Sequence, residues 1–365
     1  MEIVPLLRSL SEASGVSGYE DQVREIVYET FRGLADEVRA DAMGNLIAYK
    51  RGGAESEPRR KIMMAGHMDE IGLIVTELEK GFLRFTQVGG FDVRTLMGQE
   101  VVVHGRRPLP GVIGSRPPHV LSAEERKKPA PMDALFIDVG LSQKALREVV
   151  RVGDLITIQR PFLELKGGLV SGKAFDDRAA VAAIAVCLEI LNALDHEWDV
   201  YGVATVQEEV GLRGAITSTY GIAPDAGIAI DVGFGKQPGV NPEDAIELDK
   251  GPSLAFGPYL HPVLFGELKR VAQENEIPFQ MEVVPSGTGT DANAIQVTQA
   301  GVPTALFSIP VRNMHTPIET LAVKDVLRTG RLMAYTIAGL DTEFAGKLAG
   351  RPAPAAQQTE EGAGT

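Results

Sequence analysis

The amino-acid sequence predicts an α/β protein with a mostly parallel, mixed sheet that lies between helices and is interrupted by an inserted small β-barrel domain. Two observations support this prediction. Apolar runs typical of buried strands alternate with helical patterns in both terminal parts of the chain. Between them, residues 75–161 carry short β-rich runs broken by glycine and proline. The 365 residues, 44% of them hydrophobic, contain enough apolar material for a sizeable core.

The elements before and within the insertion follow from local pattern. Ser17 and Glu20 have the spacing of a capping box, and Val23, Val27 and Phe31 follow at helical intervals, so an amphipathic helix is predicted to begin here. Apolar runs predict strands at residues 45–49 and 61–64, and then at 82–88, 100–103, 111–113, 135–139 and 154–158. The proline-rich and charged residues 115–131 predict a polar, mobile loop.

After the insertion, strands and helices alternate again. The pattern predicts a buried helix over 180–191, strands at 199–206 and 226–230, and then helix 262–272, strand 280–284, helix 292–300, strand 303–309 and helix 321–340. We therefore predict one discontinuous α/β domain (1–74 and 162–346), an inserted β-barrel domain (75–161), and a disordered C-terminal tail (347–365) rich in Ala, Pro, Gly, Gln and Glu.

Charge and cysteine content narrow the function. Acidic residues outnumber basic ones by 49 to 36, and this net charge of -13 argues against binding to nucleic acid or to anionic membranes. No apolar run approaches the roughly 18 to 20 residues that span a bilayer, and the start has no basic segment followed by an apolar one, so we expect a cytoplasmic protein. Because Cys187 is the only cysteine, a metal would have to be held by histidines and carboxylates.

Histidines and acids follow the apolar runs at the points where strands are predicted to end. Ligand sites of open α/β sheets lie beyond the carboxyl ends of the strands, so these residues are expected to converge. Two imidazoles with several carboxylates are the ligands expected for Zn, Co or Mn. The candidates are His67, Asp69, Asp176, Glu208, Glu209, Asp231 and His315.

The number of groups suits a co-catalytic pair of metals. Two ions roughly 3.5 to 4 Å apart need a bridging carboxylate, nitrogen and oxygen ligands for each ion, and a free carboxylate to deprotonate the shared water. Glu208 and Glu209 are adjacent and point in different directions, which suits a general base and a ligand. Asp69 is placed to accept the second ring N–H of His67. In this assignment Asp176 bridges, His67 and Asp231 serve one ion, His315 and Glu209 serve the other, and Glu208 is the base.

Each of these residues also has an ordinary structural explanation. A single histidine after a strand is more often a hydrogen-bonded structural residue, and a single acid is more often solvated or a helix cap. The convergence of the whole set favours a metal site. Of the other histidines, His104, His119 and His196 are expected to be structural or exposed. The sequence does not decide the role of His261.

Six stretches of the chain together resemble the M42 family of metallo-aminopeptidases, which includes the TET aminopeptidases and relatives once labelled endoglucanases. The resemblance runs from residue 6 to about residue 346, and the insertion between His67 and Asp176 separates this chain from the related M20 and M28 peptidases. The stretches are AGHMDEIG (65–72), AFDDR (174–178), QEEVG (207–211), Asp231, GTGTDA (287–292) and RNMHTP (312–317).

The resemblance implies a zinc-exopeptidase type of fold and an enzyme that removes single residues from the free N-terminus of peptides. It implies two divalent ions per subunit, Zn²⁺ or Co²⁺, held as assigned above, with Glu208 as base and then acid. It further implies that Gly287, Gly289 and Asp291 line the substrate pocket and that the Asp176–Asp177 peptide bond is cis. By the same analogy, the inserted domain forms dimers that assemble into a homododecamer with an interior chamber.

Three alternatives remain at the level of sequence. A deacylase or carboxypeptidase could use the same metals, and the end of a peptide that shortens would distinguish it. A glycoside hydrolase would use two carboxylates and no metal, so chelation would spare its activity. A non-catalytic scaffold is disfavoured because all six ligand and base positions are intact. The sequence leaves the preferred side chain of the cleaved residue open.

Overall fold

A computed structural model describes residues 1–55 and 58–349 of the protein. Within these residues the helices are α1 (Ile3–Glu12), α2 (Asp21–Phe31), α3 (Gln143–Val149), α4 (Phe175–Leu191), α5 (Arg213–Ile222), α6 (Pro262–Glu274), α7 (Asp291–Ile295), α8 (Val323–Ala338) and α9 (Thr342–Ala349). The predicted C-terminal tail therefore starts inside α9, and its residues from 350 onward lie outside the described part of the chain.

The strands form one large sheet and one closed barrel. They are β1 (Glu37–Ala40), β2 (Leu46–Lys50), β3 (Lys61–His67), β4 (Gly72–Glu79), β5 (Phe82–Val88), β6 (Glu100–His104), β7 (Pro108–Ser115), β8 (Leu135–Asp138), β9 (Leu155–Ile158), β10 (Leu163–Glu164), β11 (Leu169–Gly172), β12 (Asp199–Thr205), β13 (Ala226–Phe234), β14 (Ser253–Phe256), β15 (Gln280–Val283), β16 (Thr304–Arg312) and β17 (Glu319–Ala322).

The large sheet has eleven strands in the order β1-β2-β12-β3-β13-β16-β17-β11-β10, and β14 with β15 branches from β16. Strands β12, β3, β13 and β16 are parallel neighbours, whereas both flanks of the sheet are antiparallel. The predicted mixed α/β sheet is thus confirmed, with its parallel pairing concentrated at the centre. The central strands bring their carboxyl ends to one edge of the sheet.

Helices cover both faces of this sheet. Along β3, Ile62 and Met64 face the apolar layer formed by α4 and α8, while Met63 and Ala65 face the layer that includes α5 and α7. The alanine-rich α4 lies almost wholly buried on β3 and β13. A Cβ atom at Gly66 would come within 2.5 Å of the Ala180 Cβ atom, so glycine permits the close approach of α4 to β3.

The inserted barrel closes in the order β4-β5-β8-β7-β6-β9, with every neighbouring pair antiparallel. It has a hydrophobic core of its own, which includes the fully buried Leu83, Val101 and Ile137. The predicted β-barrel insertion between the first two site segments is confirmed. It places the barrel directly after the strand that ends in His67.

Two local predictions were wrong. The predicted capping box does not form, because α2 begins at Asp21 without a side-chain cap, and Ser17 and Glu20 instead make contacts near the sheet edge. The helix predicted over 292–300 ends at Ile295. In the described ranges, no helix has the length and apolar character needed to cross a membrane.

Candidate metal centre

The predicted site residues gather at the carboxyl edge of the parallel strands. His67 is the last residue of β3 and is paired with Thr205, the last residue of β12. Asp231 lies within β13 on the other side of β3, and its side chain is 7% exposed. Because parallel strands end at one edge, residues far apart in sequence meet there.

Asp176 stands between the two predicted histidine ligands. Its Oδ1 atom is 3.1 Å from the Nε2 atom of His67, and its Oδ2 atom is 3.1 Å from the Nε2 atom of His315. Asp176 and Asp177 precede the regular part of α4, and the peptide bond between them is cis, which confirms the expectation. Each imidazole therefore faces a different oxygen of one carboxylate, as a bridging ligand requires.

The two glutamates after β12 approach different histidines. The Oε2 atom of Glu208 is 3.8 Å from the Nε2 atom of His67, and the Oε1 atom of Glu209 is 3.7 Å from the Nε2 atom of His315. Potential ligand atoms of His67, Asp176 and Glu209 lie within 4.8 Å of one another. The adjacent glutamates thus point to the two halves of the site.

A second group of potential ligand atoms consists of those of His67, Asp177 and Asp231, again within 4.8 Å of one another. Asp177 lies in the AFDDR stretch, and no role was predicted for it from the sequence. Its Oδ2 atom accepts the backbone N–H of His67 at 3.1 Å, whereas its Oδ1 atom is buried without a hydrogen-bond partner. Asp177 is therefore an additional buried acid on the Asp231 side of the site.

Asp69 contacts both His67 and the glutamate turn. The Nδ1 atom of His67 is 3.2 Å from the backbone carbonyl oxygen of Asp69 and 3.5 Å from its carboxylate. The same carboxylate accepts the backbone N–H groups of Glu208 at 3.0 Å and Glu209 at 3.3 Å. Asp69 can thus fix the tautomer of His67 through its carbonyl while its carboxylate holds the glutamate turn.

The buried acids repel one another. Burial raises the pKa values of Glu208, Glu209 and Asp231 well above those of exposed carboxyls, and neighbouring carboxylates add to the effect. For Asp176 burial acts in the same direction, but hydrogen bonds to the two histidines outweigh it and lower its pKa. The hydrogen bond to Asp176 raises the pKa of His315 to about 9.

These residues fit a divalent metal centre. Several carboxylates whose charged forms disfavour one another are gathered with two imidazole nitrogens, and a bound cation would relieve their repulsion. Imidazole and carboxylate donors suit Zn, Co or Mn. The residues that would hold such ions are His67, Asp176, Glu209, Asp231 and His315.

The three residues expected to line the substrate pocket lie in two different environments. Asp291 is 2% exposed, accepts a hydrogen bond from the Thr205 hydroxyl at 2.6 Å, and is close enough to Glu208 for its charge to raise the pKa of the Glu208 carboxyl. Gly287 and Gly289 lie in the exposed loop before α7, and Gly289 has a φ of 73°. Asp291 therefore adjoins the charged cluster, and substrate contact by all three stays a prediction.

Besides Asp177, a second buried acid at this site was not predicted from the sequence. Glu319, the first residue of β17, is 2% exposed and accepts the backbone N–H of Asp176 with one oxygen and that of His315 with the other, both at 3.0 Å. The available signal was an acid at the start of an apolar strand, four positions after a candidate ligand. Glu319 thereby links the bridging aspartate to the more exposed histidine.

The remaining histidines lie elsewhere in contacts of their own. His104 bonds the Thr157 hydroxyl at 2.8 Å, His196 bonds the Trp198 carbonyl at 2.8 Å, and His119 is exposed. His261 immediately precedes α6, and its Nδ1 atom is buried without a partner. In the described part of the chain, none of these four histidines forms a hydrogen bond with any of the seven predicted site residues.

Comparison with known proteins agrees with this geometry. Residues 44–332 match the family described as M42 glutamyl aminopeptidase. The chain is 38% identical over 335 residues to a lysyl aminopeptidase of Pyrococcus furiosus. The aligned region covers 90% of this chain and 94% of that protein.

Two solved structures share the whole fold. A TET aminopeptidase from the marine sediment archaeon Thaumarchaeota archaeon SCGC AB-539-E09 has a TM-score of 0.90 and 36% identity, covering 95% of this chain and 99% of that one. The TET1 peptidase of Pyrococcus horikoshii has a TM-score of 0.82 and 33% identity, covering 93% and 100%. Fold and site define a metal-dependent hydrolase of peptide bonds. The chain belongs to the M42 family of aminopeptidases.

Proposed function

We propose that this aminopeptidase works with a dinuclear metal centre in which Asp176 bridges the two ions. The observation that carries the proposal is the contact of the His67 and His315 Nε2 atoms with opposite oxygens of the Asp176 carboxylate, each at 3.1 Å. In this assignment His67 and Asp231 hold one ion, and His315 and Glu209 hold the other. Asp177, whose Oδ2 atom accepts the backbone N–H of His67 and whose Oδ1 atom has no hydrogen-bond partner, is not assigned to the ligand set.

Glu208 is the proposed general base. Its carboxylate makes no hydrogen bond to another group of the described residues, and its side chain is only 9% exposed. Bound divalent cations supply a Lewis acid for the scissile carbonyl and lower the pKa of water. Glu208 accepts the proton of the attacking water and delivers it to the departing amine, so that one carboxyl group serves first as base and then as acid.

We propose Zn²⁺ or Co²⁺ as the metal. Imidazole and carboxylate ligands without thiolate are compatible with both ions, and the lone Cys187 is buried in α4 among apolar side chains. The substrates are peptides with a free N-terminus, and Gly287, Gly289 and Asp291 contribute to the substrate pocket. The proposed cellular location is the cytoplasm, which suits a chain with one unpaired cysteine.

We also propose that the chain assembles through its inserted barrel. The separate hydrophobic core of the barrel supports the division into a catalytic domain (1–74 and 162–346) and an inserted domain (75–161), and we propose by analogy that the inserted domain mediates dimerisation. The related Pyrococcus horikoshii TET1 peptidase can assemble into a tetrahedron or a large octahedral shell. By analogy, dimers of this chain would build a homododecamer.

The activity test uses unblocked peptides with added Co²⁺ or Zn²⁺ and the variant Glu208→Gln. We expect the wild-type enzyme to release amino acids from the N-terminus, and the variant to retain two metal equivalents while its kcat falls by at least about 10³-fold. The exposed Glu197→Gln replacement is the matched control, with expected wild-type turnover. Wild-type turnover of Glu208→Gln would show that another group is the base.

A further inference from the structure

The turn that carries Glu208 is held by an unusual series of side-chain acceptors. Four consecutive backbone N–H groups, at residues 206–209, all donate to side-chain oxygens of other segments. Gln207 has a φ of 55°, a conformation that residues with a Cβ atom seldom adopt without support from their surroundings. In order, the N–H groups of Val206, Gln207, Glu208 and Glu209 reach Asn45 Oδ1 at 3.0 Å, Glu20 Oε1 at 3.3 Å, Asp69 Oδ1 at 3.0 Å and Asp69 Oδ2 at 3.3 Å.

Part of this support comes from the N-terminal segment, residues 15–20. Ser17 donates its hydroxyl to the Oδ2 atom of Asp69 at 2.6 Å, and the Oε1 atom of Glu20 accepts the N–H of Gly18 at 2.6 Å as well as that of Gln207. The segment is fixed to the loop after β3, because Val16 and Glu70 form a parallel β-bridge. It is therefore anchored on the same loop that supplies Asp69.

Neither a helix cap nor an ion pair explains why the Glu20 carboxyl is buried. It is 3% exposed, it gives α2 no side-chain cap, and no basic side chain of the described residues forms an ion pair with it. Burial of an unpaired carboxylate is unfavourable unless its oxygens are satisfied by hydrogen bonds. The Glu20 carboxylate is satisfied by the backbone N–H groups of Gly18 and of Gln207, which precedes the proposed base.

We propose that Glu20, assisted by Ser17, is a positioning residue that orients the backbone beneath Glu208. Glu20 fixes the N–H of Gln207, and Ser17 fixes the Asp69 carboxylate that receives the N–H of Glu208. Neither side chain touches the substrate site in this scheme. The inference rests on the proposed role of Glu208 as the base, because its effect on turnover is transmitted through that side chain.

The hydrogen bonds of Glu20 determine which replacement of this residue should be tolerated. A single oxygen of Glu20 accepts both N–H groups, and glutamine retains one such oxygen, so Glu20→Gln should keep the turn in place. Glu20→Ala removes the acceptor and leaves two donors unsatisfied. A displacement of the base by about 1 Å can lower turnover by about 10²-fold, so we expect kcat of Glu20→Ala to fall by roughly 10- to 100-fold.

The decisive experiment is a double-mutant cycle with full-length protein loaded with Co²⁺. Glu20→Ala is made in the wild-type and in the Glu208→Gln background, with Glu20→Gln as the conservative variant and the exposed Glu25→Ala in α2 as the matched control. We measure kcat, KM, metal content and the visible spectrum of bound Co²⁺. The expected result is a loss of kcat in the wild-type background only, near wild-type rates for Glu20→Gln and Glu25→Ala, and unchanged metal content and spectrum.

Three results would overturn the proposal: wild-type kcat in Glu20→Ala, the same fold loss in the Glu208→Gln background, or a loss of metal that accounts for the loss of rate. If Glu20→Ala does not fold, Ser17→Ala and Ser17→Thr test the same support, with a lower kcat expected for alanine only. Equal kcat in those two variants would also overturn it. Failure of the proposed base is recognised separately, because Glu208→Gln would then turn over at the wild-type rate.

Discussion

The carboxylate of Glu319 accepts the backbone N–H of Asp176 at 3.0 Å, which ties the start of β17 to the proposed bridging ligand. Its second oxygen accepts the backbone N–H of His315, also at 3.0 Å. His315 has a φ of 60° and a side chain that is 40% exposed. Glu319 therefore sets the distance between a bridging carboxylate and an imidazole that belong to different segments.

The first prediction concerns replacement of this acid. Glu319→Gln keeps one acceptor oxygen but presents an amide N–H₂ to one of the two backbone donors, so one bond is lost. Loss of a hydrogen bond that holds a metal ligand typically lowers metal affinity by about 10- to 100-fold. Competition with a chelator should show that weakening for one of the two ions.

The control for that experiment is Glu343→Gln, which removes a charge from an exposed position in α9. Its metal affinity should equal that of the wild type. Equal affinity of Glu319→Gln and the wild type for both ions would mean that the Asp176 and His315 backbones hold their positions without the Glu319 carboxylate.

The second prediction concerns removal of the metal. Without ions, the buried Glu208, Glu209 and Asp231 carboxyls have raised pKa values because burial and mutual repulsion disfavour their charged forms. Ions that bind only the folded chain should raise its stability, by about 4 kcal/mol at a thousandfold excess over Kd. Dialysis against EDTA should abolish peptide hydrolysis and lower Tm, and two equivalents of Zn²⁺ or Co²⁺ should restore both. Activity on peptides that survives complete metal removal would contradict the metal centre.

The sequence was sufficient to predict that the seven candidate residues would converge, because most of them follow central strands whose carboxyl ends meet at one edge of the sheet. Their roles at a metal centre stay a prediction. The supporting acids were not predictable in the same way. Glu20 has the spacing of a capping box, yet its carboxylate bonds Gln207, 187 positions away. Glu319 likewise acts on Asp176 across 143 positions. Such contacts depend on which segments the fold brings together, and local propensity carries no information about that.

The third prediction concerns assembly through the inserted barrel. On its outer surface Phe82 and Val112 flank Asp138 in register on adjacent strands, and they are 37% and 50% exposed. Phe82 and Val112 leave apolar surface exposed on this row, and we expect the row to lie in the contact surface of the assembly. The double variant Phe82→Glu with Val112→Glu should therefore reduce the assembled mass measured by light scattering while the far-ultraviolet circular dichroism stays unchanged.

Val152→Glu provides the matched control for assembly. Val152 is 65% exposed in the turn before β9, outside the row that contains Phe82 and Val112. It also places a glutamate at an exposed apolar position of the barrel, with one added negative charge against the two of the double variant, and the assembled mass should not change. If the double variant keeps the wild-type mass, the chains assemble through another surface or not at all.

The last prediction concerns acid stability and His104, which lies at the end of β6 with its Nε2 atom 2.8 Å from the Thr157 hydroxyl. Burial lowers the pKa of His104, and the charge of Lys173 acts in the same direction against the opposing charge of Glu70. The folded chain thus binds a proton here less readily than the unfolded chain, whose histidine titrates near about 6.5. The stability that the neutral ring contributes is complete above that pH and is lost progressively as the pH falls toward the lower folded pKa.

The free energy of unfolding in urea should therefore fall more between pH 7.5 and pH 5.5 for the wild type than for His104→Gln, which has no titrating ring. The site histidines titrate in both proteins, so the difference between the two slopes isolates His104, and parallel slopes would show that its protonation is not linked to folding.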